Sequence, residues 1–132
     1  MIGVDTNVLV RYLTQDVESL AARANSFFAD RSTADPAFVS LAAVIETHWV
    51  LRRSYKFDLP AISRVFRSLL GADEVVFQAP DVVRRALRDA EEAKVDFADA
   101  VIANLGIDSG CDYTVTLDRR ASGLPGMRVL GA

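Results

Sequence analysis

The 132-residue chain holds one cysteine, one histidine and one tryptophan, and each scarcity excludes something. Cys111 alone can form no internal disulfide, and it has no thiolate neighbours to share a metal. With His48 as the only imidazole, a zinc centre lacks the nitrogen and sulfur ligands it ordinarily takes. Cys111 is expected in the core beside Tyr113, as free cysteines commonly are, and His48 is expected to be structural or to face a partner. No apolar run approaches the ~20 residues of a membrane span. The first residues meet a charge at Asp5, too soon for a signal peptide, so a cytoplasmic location is the default. No repeat, linker or low-complexity segment divides the chain, so residues 1–132 read as one domain.

What is present is an apolar, alternating pattern. Hydrophobic residues make up 51 % of the chain, which hints at surface covered by a partner. Apolar runs predict strands over residues 1–4, 38–41, 75–77, 113–116 and 127–130, the first of them buried. Helical spacing predicts helices between them. One carries Val8, Leu9, Tyr12 and Leu13, one spans residues 19–29, and one spans 42–54 with Ile45, Trp49 and Leu51. The next starts at Asp58-Leu59-Pro60 and stops at Gly71, with Asp58 as its cap. Another opens at Pro80 with Val82, Val83, Ala86, Leu87 and Ala90 inward, and Arg84, Arg85, Arg88, Glu91 and Glu92 on a solvated face. The last covers 97–107. Strands alternating with helices imply an α/β fold with a parallel sheet covered on both faces.

Four carboxylates stand out against this apolar background: Asp5, Glu46, Asp99 and Asp118. Burying a lone charge is expensive, and a shared divalent cation is the simplest way to make four such choices tolerable. In an open parallel sheet, ligands bind beyond the carboxyl ends of the strands. Asp5 and Asp118 each follow a predicted strand, Glu46 lies about one turn into a helix, and Asp99 lies in the first turn of another. Two unit charges ~4 Å apart repel by ~4 kcal/mol at an effective dielectric of about 20, so four that converge require neutralising. An all-oxygen set suits Mg²⁺ or Mn²⁺, which can activate a water against a phosphodiester. Each residue also has a structural reading. Asp5 can cap the first helix, Asp96 and Asp99 can form a capping pair, and Asp118 can open a turn. Glu46, between Ile45 and Thr47, has the weakest structural excuse.

The net charge of −3 argues against a nucleic-acid partner at first. Thirteen of the fifteen basic residues are arginine, the better phosphate ligand, and two divalent cations on the four carboxylates would turn the balance positive. A haloacid-dehalogenase-type phosphatase would need a second Asp where Asn7 stands. A response-regulator receiver would need a late lysine that neither Lys56 nor Lys94 supplies, and dinucleotide binding lacks its glycine-rich turn.

The opening Ile-Gly-Val-Asp-Thr-Asn-Val-Leu-Val-Arg-Tyr-Leu, the helical Glu46, the segment Asp-Phe-Ala-Asp-Ala-Val-Ile-Ala and the closing Val-Thr-Leu-Asp-Arg together resemble the PIN-domain family. The closest resemblance is to VapC-type ribonuclease toxins of bacterial toxin–antitoxin pairs. It implies a three-layer α/β/α sandwich with a central, mostly parallel sheet, and Mg²⁺- or Mn²⁺-dependent endonuclease activity on RNA. It implies Asp5 and Asp99 as direct metal ligands, with Asp118 and Glu46 completing the shell directly or through water. Thr6 or Asn7 and Thr116 would orient these carboxylates, Asp96 would cap a helix or support the others, and Arg119 would touch substrate phosphate. Such toxins usually form homodimers and are held inactive by a cognate antitoxin. The alternatives are a non-catalytic PIN domain that binds RNA or protein, and a PIN ribonuclease of RNA processing.

Overall fold

The opening apolar run makes a strand of only two residues, β1 (Ile2–Gly3), because Asp5 ends it by capping the helix that follows. In this computed structural model, which describes residues 1–131, the chain resolves into two units, Met1–Gln78 and Ala79–Ala132.

In the first unit β1 leads to α1 (Thr6–Thr14), α2 (Glu18–Ala29), β2 (Ala37–Val39), α3 (Leu41–Arg53), α4 (Leu59–Leu70) and β3 (Val75–Phe77). The strands lie in the order β1-β2-β3 and all run parallel, with Ile2 opposite Ala37 and Phe38 opposite Val76. Parallel neighbours need a crossover, and a helix pair supplies each one. Three of the helices start on a side-chain cap. The amides of Thr6, Ala43 and Ala61 donate to Asp5 Oδ1 at 2.9 Å, Ser40 Oγ at 3.1 Å and Asp58 Oδ1 at 2.8 Å. Each cap satisfies an amide that the helix leaves without a partner. The Ser40 cap is why the strand expected over 38–41 stops at Val39.

Leu9, Val39, Val44, Leu51, Ile62 and Phe66 form the fully buried centre of this unit. His48 is buried beside them, nearly parallel to the Phe66 ring with 6.4 Å between centroids, so its role is structural. The expectation that β1 is buried fails. It is an edge strand, Ile2 and Gly3 are exposed, and burial begins only at Val4.

The second unit consists of α5 (Pro80–Ala93), α6 (Phe97–Asp108), β4 (Thr114–Thr116), a 3-10 turn (Ala121–Gly123) and β5 (Met127–Val129). β4 and β5 pair in parallel, Thr114 opposite Met127. All strand pairings among the described residues are therefore parallel, and the fold is α/β. No helix among them is long and apolar enough to cross a membrane.

α5 buries the expected stripe, but its arginine face is more than a solvated surface. Arg85 donates from Nε to Asn104 Oδ1 at 3.0 Å and from Nη2 to Asp108 Oδ1 at 2.7 Å. Asp89 is buried, and both its oxygens accept: Oδ1 from Arg88 at 3.3 Å and Oδ2 from Asn104 Nδ2 at 3.0 Å. A carboxylate can be buried once its oxygens are paired in this way. Asn104 also donates to the Ala100 carbonyl of its own helix at 2.9 Å, while its bonds with Arg85 and Asp89 tie α6 to α5. Cys111 is exposed rather than in the core. It follows Gly110, whose φ of +86° turns the chain from α6 toward β4, and so it rides on a loop.

α6 and β4 approach closely because residue 106 is glycine; a Cβ there would collide with Thr114 Oγ1. Gly106→Ala is expected to lower unfolding stability by about 1 kcal/mol, overpacking outweighing the gain in helix propensity. In a Thr114→Ala background the same change should instead stabilise by about 1 kcal/mol, as measured by denaturant titration. Stability also depends on pH through His48. Burial, and then the Arg52 guanidinium, push the His48 imidazole from its ordinary 6.5 down to about 4. Between those values the unfolded chain binds the proton and the folded chain does not, so stability is complete above pH 6.5 and is lost as pH falls toward 4. Thermal melts across this window should show a steeper decline for the parent chain than for His48→Gln.

Candidate active site

Asp5 takes an extended backbone (φ −79°, ψ 156°) between β1 and α1, with Oδ1 held by the Thr6 amide at 2.9 Å. The capping role is real. It also fixes the carboxylate at the positive end of the α1 dipole, exposed to solvent. Thr6 orients it through its amide, and the threonine itself is buried. Asn7 lines an open cleft of about 510 Å³ together with Val4, Val8, Arg11, Arg23 and Phe27. β1 and β2 run parallel, so Asp5 and the Ser40 cap of α3 stand at the same carboxyl edge of the sheet. Glu46 lies on the second turn of α3, exposed, with no hydrogen bond or ion pair among the described residues. Its neighbours Val44, Thr47 and His48 are buried, so Glu46 belongs to the outward face of an otherwise core-facing helix.

In the second unit Asp99 occupies the first turn of α6 and is half-buried. Burial raises its proton affinity above that of an ordinary aspartate, and the charges of Asp96 and then Asp118 raise it further. The fold explains why Asp118 is felt there. β4 turns back along α6 from the contact between Thr114 and Gly106. The four steps of chain from Thr114 to Asp118, begun in β4, reach at most about 13 Å, and the seven helical steps from Asp99 to Gly106 span about 10 Å. That reach is enough to bring Asp118 level with Asp99. The turn after β4 holds it: the Arg120 amide donates to Asp118 Oδ1 at 2.8 Å, and the Asp118 amide donates to Thr116 Oγ1 at 3.0 Å. Asp96 sits at the N-cap of α6 but its side chain makes no capping bond, so the expected Asp96–Asp99 capping pair does not form.

The quartet thus falls two and two: Asp5 and Glu46 in the first unit, Asp99 and Asp118 in the second. Asp5, Glu46 and Asp118 are exposed and Asp99 is half-buried, so the premise that these are lone charges in apolar surroundings does not hold. Their sequence neighbours are apolar, but successive helical residues point about 100° apart, and the acids take the outer positions. No ion pair among the described residues involves any of the four. Nor does any group of three or more His, Cys, Asp or Glu among them stand close enough together to hold a metal ion. The donor chemistry nevertheless fits a hard divalent cation: Asp96, Asp99 and Asp118 form an all-carboxylate field, while His48 is committed to the core. Sequence reasoning missed the buried Asp89 and its partner Asn104, since nothing local marks a carboxylate whose second partner lies on another helix.

No curated protein sequence matches the chain. The family model described as PIN domain matches residues 2–126, and PIN domains are generally metal-dependent nucleases that act on RNA. A match over nearly the full length, on an α/β fold with parallel strands, means that the chain belongs to the PIN domain family.

Proposed function

We propose that the chain is a metal-dependent endoribonuclease, the toxin of a VapBC-type toxin–antitoxin pair, with Mg²⁺ or Mn²⁺ as its cation. The observation that carries this reading is Asp99, whose proton affinity is raised by burial and by two further carboxylates, Asp96 and Asp118. A protein accumulates like charge in this way where a cation or a charge-stabilising task offsets it. Asp5, Glu46, Asp99 and Asp118 are the residues we assign to hold the ion. A bound divalent cation supplies an activated water and neutralises charge gathering on the phosphodiester.

The chain's own contribution is preorganisation. Asp5 is fixed by the Thr6 amide and Asp118 by the Arg120 amide, so neither needs to be ordered when substrate arrives. Arg119 follows Asp118 directly, is exposed, and is the residue we assign to a substrate phosphate. The antitoxin reading is supported by the cleft beside Asn7, whose apolar wall and Arg23 suit an acidic amphipathic segment, Arg11 being already paired with Asp16 at 3.1 Å. The homodimer reading is supported by the exposed Ile102, Val115, Leu117 and Leu130.

Purified chain incubated with total cellular RNA should cleave it with Mg²⁺ or Mn²⁺ and not with EDTA. Asp99→Asn should lose at least about 100-fold of that activity. The same variant carries a readout independent of catalysis. A carboxylate whose proton affinity is raised by folding favours the folded chain only while protonated, and that contribution is gone once it ionises. At neutral pH in EDTA, Asp99→Asn should therefore melt at a higher temperature than the parent. Metal-independent cleavage, or cleavage that survives the substitution, would sink the assignment. A folded chain that cleaves nothing points to the non-catalytic binding module, and cleavage confined to precursor RNAs points to RNA processing.

A further inference from the structure

Among the solvent-facing positions of α3, Ala42, Glu46, Trp49 and Arg53 form one stripe, at intervals of three and four residues, with the exposed Arg52 beside its end. Trp49, the only tryptophan of the chain, is 57 % exposed, an unusual position for the largest apolar side chain. It is not a stray surface residue, because the Arg53 guanidinium lies 5.5 Å from its ring centroid. Helical rise places Trp49 about 4.5 Å along the axis from Glu46 and Arg53 about 10 Å from it. A carboxylate assigned to the cation, an aromatic face and a cation thus follow one another along one side of one helix. The basic end of that helix is reinforced by Arg52.

We propose that this stripe is a subsite for a single-stranded segment of RNA, in which an unpaired base stacks on Trp49 and Arg53 meets the adjoining phosphate. The inference rests on the nuclease reading of Glu46 and extends it to the residues that hold the substrate beside it. A stacked aromatic and arginine read an unpaired base through its face, whereas bases in a duplex present no free face. Charge supports RNA as the occupant over a second copy of the chain. An apolar self-contact would have to bury Arg53 and Glu46 along with the ring, while a nucleotide places its phosphate at the cationic end. The stacked base would accordingly be held about one turn of helix from Glu46.

Because Trp49 is the only tryptophan, intrinsic fluorescence reports on it alone. Asp99→Asn protein in Mg²⁺ would be titrated with a single-stranded oligouridylate, with an abasic oligoribose phosphate of equal length, and with an RNA duplex. Saturable quenching by the base-bearing strand, absent with the abasic strand and the duplex, is the expected result. In the active chain, Trp49→Ala should raise KM on unpaired RNA about tenfold with little change in kcat, and Trp49→Phe should recover most of the loss. Alanine at an exposed helix position favours the helix, so a folding defect would not account for the change. Equal quenching by the abasic strand, or none, in a chain that does cleave RNA overturns the subsite and leaves the nuclease standing. Base-dependent quenching in a chain that cleaves no RNA does the reverse. Emission that shifts with protein concentration alone assigns Trp49 to a contact between copies and overturns the subsite.

Discussion

Parallel pairing obliges the chain to cross back between neighbouring strands, and in the first unit every crossover is a pair of helices. It also gathers the carboxyl ends of the strands at one edge, where each strand hands over to a helix start. The strands are two or three residues long, so little chain lies between the two ends of the sheet. Caps at Asp5 and Ser40 therefore do two tasks, closing a strand and setting the first turn of the helix that carries or adjoins an acidic side chain. In the second unit the fit of Gly106 against Thr114 sets β4 close to α6, and the charge of Asp118 reaches Asp99.

The structural and functional readings of the acidic residues turn out to be compatible rather than competing. Asp5 caps a helix and Asp118 holds a turn, each through Oδ1. One oxygen anchored to a backbone amide fixes the carboxylate while the other oxygen keeps its lone pairs for a further partner. Asp99 differs, since no hydrogen bond or ion pair among the described residues holds its carboxylate and the charges of Asp96 and Asp118 oppose its own. Burial and these charges raise its proton affinity, so its ionised form works against the folded chain. Asp89 makes the contrast plain. It is far more deeply buried than Asp99, yet Arg88 and Asn104 pair both its oxygens, so it behaves as a structural fastening between α5 and α6.

α3 shows how one helix serves both roles. Its inner face buries Val44, Thr47, His48 and Leu51, with His48 stacked on Phe66 and kept neutral by burial. Its outer face presents Glu46, Trp49 and Arg53. Polar and apolar residues interleave in sequence there, and only the winding of the helix sorts Glu46 from His48 two positions on.

The sequence by itself determined the element order, the α/β class, and the caps at Asp5 and Asp58, because hydrophobic periodicity and capping chemistry act over a few residues. It also singled out Asp5, Glu46, Asp99 and Asp118, and its motifs pointed to the PIN domain family that the match over residues 2–126 supports. It misjudged the exposure of β1 and Cys111, since edge position and loop placement are properties of the assembled sheet and turn. Tertiary structure alone decided that Asp96 makes no capping bond, that Asp89 is buried and paired, and that Asp118 bears on Asp99. Each of these depends on how far apart two elements pack, and Coulomb forces and burial follow that separation rather than distance along the chain.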